Sequence, residues 1–164
     1  MAYSVVRTDK MHGTYNAADL VSVRYAPSGT DTAINNGHVV KLVSLESNSR
    51  EVYIGDTPNA NTPLNRIALI ATPELLADER KKSLKDFRNE AGQIARGYRL
   101  RSGDIFSVTV DALTPINSTA PAAGQVVELQ ADTKLKLTAS LTSGSTQVGT
   151  VIAVEGEFVV IEVI

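Results

Sequence analysis

The residue types that carry most protein chemistry are scarce in this chain of 164 residues: it has no cysteine, no tryptophan and two histidines, His12 and His38. Without thiols there is no disulfide framework, no thiolate zinc site and no thiol nucleophile. A Ser–His–Asp hydrolase would need His12 or His38 as its base. His12 sits in a polar arm beside Gly13, His38 follows the turn sequence Asn35-Asn36-Gly37, and neither comes with a Gly-x-Ser-x-Gly elbow. The histidines are 26 residues apart and no His-Glu-x-x-His or calcium-loop pattern occurs, so no metal site is expected. The oxygen-rich run from Asp56 through Asn59 to Asn61 reads as a solvated turn, and Glu155 and Glu157 flank a turn glycine. Glycines do not cluster ahead of a helix as a phosphate cradle requires. The expectation is a protein with no catalytic residues, no metal and no cofactor.

What remains is charge. Eight of the 16 Lys and Arg residues (Arg80, Lys81, Lys82, Lys85, Arg88, Arg96, Arg99, Arg101) fall within 22 residues, and none lies beyond Lys136. Asp78, Glu79, Asp86 and Glu90 interleave with them, so a solvated helix face is the plain reading and a docking face the functional one. With 18 acidic residues, a net charge of −2 and a pI near 5.7, wholesale binding to nucleic acid is not expected. No charged start followed by an apolar stretch marks a secretory signal, and no apolar run approaches the length of a membrane span. Synthesis in a cytoplasm is expected, and Asn117-Ser118-Thr119 is read as a polar turn rather than a glycosylated one.

The elements that must position these residues are mostly strands. Short Val-, Ile- and Thr-rich runs bounded by Gly, Pro, Asn or Ser predict strands at 20–25, 38–45, 51–54, 66–71, 98–100, 105–110, 125–130, 134–139, 149–154 and 158–164. One helix is predicted, at about 73–94. Thr72-Pro73-Glu74 supplies a cap, an N1 proline and a dipole-matched acid, and Leu76, Leu84, Phe87, Ala91 and Ile94 form its apolar stripe.

A weak repeat organises the rest. Gly37-His38-Val39-Val40-Lys41-Leu42 recurs as Gly124-Gln125-Val126-Val127-Glu128-Leu129, and Gly103 to Val110 matches Gly156 to Val163. The predicted fold class is therefore mainly β with one inserted α-helix. Two small related barrel-like or sandwich-like units end in hairpins that turn at Gly103 and Gly156. The predicted divisions are an extended N-terminal arm (1–34), a β domain carrying the helix (35–113), a Pro/Ala/Ser/Thr linker (114–123) and a small β unit (124–164).

A polar arm, Gly-x-Val-Val-x-Leu strands, Gly-Asp or Gly-Glu turns, the linker and the absence of a catalytic constellation together resemble the head decoration, cement and head-fibre proteins of tailed bacteriophages. Arg50-Glu51-Val52-Tyr53 and Tyr98-Arg99-Leu100-Arg101-Ser102-Gly103-Asp104 are similar in style to small virion proteins of such phages. The resemblance implies a structural virion protein, a homo-oligomer that binds the major capsid protein lattice on the capsid surface and reinforces it, with neither membrane nor nucleic acid as partner. The residues expected to touch that partner are Tyr3, Val5, Arg7 and Tyr15 in the arm, and Arg80, Lys81, Lys82, Lys85 and Arg88 in the helix. The arm and the strand ending at Ile164 would join a partner sheet by strand addition. Two alternatives stand beside this reading: a structural part of a tail, baseplate or contractile device, and a nucleic-acid-binding module using the basic helix.

Overall fold

A computed structural model describes residues 2–12, 17–77, 80 and 83–164, and it is mainly β, with 39% of residues in strands. The first five strands are β1 (Leu20–Tyr25), β2 (Val39–Leu45), β3 (Val52–Asp56), β4 (Ile67–Ile70) and β5 (Ile94–Arg99). They close into a barrel in the order β1-β3-β2-β4-β5, with β1 parallel to β3 and every other pairing antiparallel. Val23, Tyr25, Val40, Leu42, Ala68, Ile70 and Ala95 fill its interior. The bore is narrow enough to demand glycine at two inward positions. A Cβ on Gly55 would lie 2.7 Å from a Val23 methyl, and one on Gly97 would lie 3.0 Å from Val21 and 3.2 Å from Ala68.

The remaining strands are β6 (Ile105–Thr109), β7 (Leu113–Thr114), β8 (Val126–Gln130), β9 (Asp132–Thr138), β10 (Gln147–Glu155) and β11 (Phe158–Val163). They form a curled six-stranded sheet in the order β6-β11-β10-β8-β9-β7. Barrel and sheet meet through β4, whose run Ile67-Ala68-Leu69-Ile70 is buried on both faces. Successive side chains of a strand point to opposite faces. Thus Ala68 and Ile70 enter the barrel, while Ile67 and Leu69, with Val39 from β2, pack against Phe106, Val108, Leu129, Leu135, Leu137 and Ile161 of the sheet.

The N-terminal arm lies on the outer edge of β6. Val6 bridges Val108 and His12 bridges Ile105, with the backbone N–H of Arg7 donating to Ser107 O at 3.0 Å and that of His12 to Ile105 O at 2.9 Å. An otherwise open sheet edge is thereby covered from within the chain. Val5 and Val6 are buried there.

The predicted helix is replaced by irregular chain. Among the described residues of 73–94 there is no α-helix, only a 3₁₀ turn at Leu84–Asp86, and Ile94 already belongs to β5. The cap went elsewhere: the Thr72 hydroxyl accepts from the Arg96 N–H of β5 at 3.0 Å, and the Thr72 N–H donates to Asn36 Oδ1 at 3.0 Å. The predicted hairpin at Gly103 is likewise a crossover between the two sheets, because β6 pairs with β11 and not with β5. The linker does not separate two units either: Thr114 is paired in β7 beside β9, and the segment after it joins β7 to β8 of one sheet. The four repeat glycines, Gly37, Gly103, Gly124 and Gly156, do share the positive φ that their turns require. Asn117 and Ser118 also adopt positive φ, in a tight turn.

Candidate partner-binding site

Three of the residues expected to touch a partner come together where the arm crosses the chain between β4 and β5. The Tyr3 N–H donates to Lys85 O at 2.8 Å, and the Arg88 guanidinium lies over the Tyr3 ring at 5.3 Å from its centre. Lys85 pairs with Glu157 in the β10–β11 turn, and Arg88 with Glu90 at 2.6 Å; these hydrogen bonds and carboxylates hold both cations above their ordinary pKa values. Val5 is a buried core residue rather than a contact residue, its backbone N–H and C=O both bonded to Thr109. Arg7 is set against Phe158 at 5.5 Å and bonded to Asp9, whose carboxyl that guanidinium draws down to about 2. Arg80 is exposed, and Tyr15, Lys81 and Lys82 lie outside the described residues.

Two buried asparagines pin this segment at its ends. Asn36 Nδ2 donates to Thr72 O at 2.8 Å and to Glu74 Oε1 at 3.1 Å, and its Oδ1 accepts from the Thr72 N–H. Asn89 Nδ2 donates to Ile34 O and to Asn36 Oδ1, and the backbones of Asn89 and Ile34 form a bridge. The Ser4 hydroxyl adds a bond to Asn36 O, so the arm shares the same anchor. Asn36 and Asn89 are 1% and 2% exposed; the Asn36 amide is engaged at both its nitrogen and its oxygen, the Asn89 amide nitrogen donates twice, and such buried bonds fix backbone position. Sequence reasoning reached Asn36 only as part of a turn and passed over Asn89, because a buried amide follows no hydrophobic period.

The described residues between these anchors, 73–77, 80 and 83–88, form an arch of exposed and half-buried chain. Leu75 is 84% exposed and Leu84 51%, and Leu75, Leu76, Asp86, Phe87, Arg88 and Glu90 are among the residues that line a shallow crevice of about 260 Å³. Across residues 74–90 the five cations Arg80, Lys81, Lys82, Lys85 and Arg88 are matched by Glu74, Asp78, Glu79, Asp86 and Glu90. Arg96 and Arg99 belong to β5, and Arg101 is paired with Asp19 at 2.8 Å. Of the eight clustered cations, Lys85, Arg88 and Arg101 each pair with a described carboxylate.

A cavity of about 360 Å³ adjoins the arch, lined by Tyr3, Tyr25, Ile34, His38, Arg88 and Thr133 among others. His38 Nδ1 lies 2.8 Å from the Thr133 hydroxyl, which is 3.4 Å from Asp132 Oδ1. With that hydroxyl donating to the carboxylate, Nδ1 carries the ring proton and Nε2 the lone pair. Nε2 is buried and has no hydrogen-bond partner. Burial and, secondarily, Lys134 push the imidazole down to about 4, so the ring is a neutral acceptor at pH 7.

The chain matches no family model, no curated protein and no solved structure. Among the described residues no group of three or more His, Asp or Glu is placed to hold a metal ion, and no helix is long and apolar enough to cross a membrane.

Proposed function

We propose that this chain is a structural virion protein that binds the outer surface of an assembled phage capsid and reinforces it, docking through the arch between Asn36 and Asn89. The observation that carries the reading is the exposure of Leu75 and Leu84 on a segment whose ends are held by hydrogen bonds from two buried amides, Asn36 and Asn89. Two large apolar side chains exposed on a segment anchored at both ends offer a partner apolar area to cover. The arm is a poorer candidate, since its backbone is already spent on β6 and Val5 is buried. A partner covering both leucines gains up to about 1.5–3 kcal/mol from Leu75 and about half of that from the half-exposed Leu84, and a lattice of many copies multiplies modest contacts into avidity.

The test is cosedimentation of the purified chain with phage heads that lack it. Saturable binding at a fixed number of copies per head, and heads that then withstand heating better, are expected. A Leu75→Asp/Leu84→Asp variant should bind at least about tenfold more weakly, because the two leucines together contribute more than the ~1.4 kcal/mol that a factor of ten represents. Binding to tails in place of heads, or unchanged binding by the variant, would overturn the proposal.

A further inference from the structure

The strongest unassigned feature lies away from the arch, at the mouth of the barrel. Arg99 ends β5 in register with Ala68 and continues the inward-facing series Ala95, Gly97, Arg99. Its guanidinium lies 5.3 Å from the centre of the Tyr53 ring. Its Nε is buried with no hydrogen-bond partner, and it forms no ion pair with any described carboxylate. An arginine stacked on a ring keeps a preorganised fork of donors and a permanent charge. Beside it is a cavity of about 310 Å³ lined by Leu64, Asn65, Arg99, Leu100, Arg101 and Ser102. Arg101 directs Nε and Nη2 to Asp19 Oδ1, both at 2.8 Å, which holds the side chain in place and leaves Nη1 outside that pair. Asp104, the nearest other acid in sequence, accepts from the Arg101 backbone N–H at 2.8 Å.

The residues lining it thus include two arginines, one asparagine and one serine, with no acidic residue among them. We propose that this cavity is an oxyanion site that takes a phosphate group, either as the free ion or as the phosphoryl end of a monoester. Donors contributed by both the 3₁₀ turn at Leu64–Arg66 and the β5–β6 crossover exceed what the two coplanar oxygens of a carboxylate engage, and suit a tetrahedral anion. The mouth of a β-barrel is also a recurrent place for a small ligand. The site is independent of the capsid-binding reading and stands or falls without it.

The experiment is an NMR titration of the whole chain with inorganic phosphate, with glycerol phosphate and with acetate, following the backbone amides of Asn65, Arg99 and Ser102. Saturable shifts with phosphate or its monoester and none with acetate are expected; a tighter monoester identifies the attached group as ligand, and equal affinities identify the free ion. Arg99→Gln should weaken binding about tenfold or more, as loss of a charge-assisted hydrogen bond implies. Ser102→Ala, at an exposed turn position that leaves the fold intact, should weaken it by a smaller factor and decides the matter if Arg99→Gln does not fold. Absence of saturable shifts, an equal response to acetate, or phosphate binding that is unchanged in the folded variants would overturn the proposal.

Discussion

At the scale of single residues, His38 is a buried imidazole held well below its ordinary pKa. It is 8% exposed, and burial together with Lys134 lowers its pKa from 6.5 to about 4, with Asp132 opposing only in part. Between these two values the unfolded chain takes up a proton that the folded chain does not. The stabilisation due to the neutral ring is therefore complete above pH 6.5, shrinks as pH falls, and is gone below about 4. Integrated over that window it amounts to about 3 kcal/mol. Urea unfolding at pH 7.5 and pH 4 should show the wild type losing that much more than His38→Gln, whose amide can still bond Thr133 without titrating. Equal losses in the two chains would mean that His38 is not buried as a neutral ring.

Among the elements, β8 and the loop that follows β9 depend on one carboxylate. Glu128 is fully buried, yet its carboxyl is held below its ordinary pKa: burial pushes it up, but the Thr142 N–H at 2.8 Å, Lys136 Nζ at 2.9 Å and the Thr142 hydroxyl at 2.8 Å together outweigh that penalty. Residues 139–144 of the loop are exposed, and this carboxylate ties Thr142 to β8, while backbone bonds from the Leu129 N–H to Thr146 O at 3.0 Å and from the Thr146 N–H to Ala60 O at 2.7 Å hold the loop's far end. Glu128→Gln, which keeps the shape and one acceptor but removes the charge, should cost about 2 kcal/mol. It should also abolish the slow hydrogen exchange of the Thr142 amide while leaving the barrel amides protected; a Thr142 amide that stays slow would separate loop from carboxylate. The strands that frame such sites were legible because β-branched runs between turn residues carry their own signal. The predicted 20–25 is β1, and 105–110 and 158–164 differ from β6 and β11 by a single residue at one end. The segment 73–94 was misread because its cap, proline and apolar spacing are local signals, whereas Asn36 and Arg96 claim the Thr72 backbone and hydroxyl across the fold. Ser83 does form a capping box with Asp86, but over only one 3₁₀ turn. Of the residues that meet at the arch, Lys85 and Arg88 are named by the basic run of the sequence and Tyr3 by its place in the arm; the asparagine anchors and the exposed leucines depend on pairings that periodicity does not encode.

On the scale of the whole molecule, the decisive fact is that one core serves both sheets. Val39, Ile67 and Leu69 of the barrel are fully buried only because Phe106, Val108, Leu135 and Ile161 lie against them, and the His38–Thr133 bond joins the two bodies again. The repeated pattern cuts across this arrangement: its second halves, β6 and β11, are neighbours in one sheet. A division at the linker would strip β11 of β6 and expose the barrel face of β4 to water. The chain should therefore unfold as one cooperative unit, with tyrosine fluorescence and far-ultraviolet circular dichroism tracing the same transition. A fragment of residues 114–164 should remain unfolded alone, since it lacks both the edge strand and half the apolar partners of its core. Two separated transitions, or a fragment with a cooperative melt of its own, would restore the picture of two independent units. Cooperativity also bears on function: Asn36 sits in the turn ahead of β2, bonds the arch and bonds the arm, and the arm lies on β6. A partner that covers Leu75 and Leu84 therefore binds a frame continuous with both sheets, and its binding free energy should appear as a rise in the melting temperature of the entire chain rather than of the arch alone.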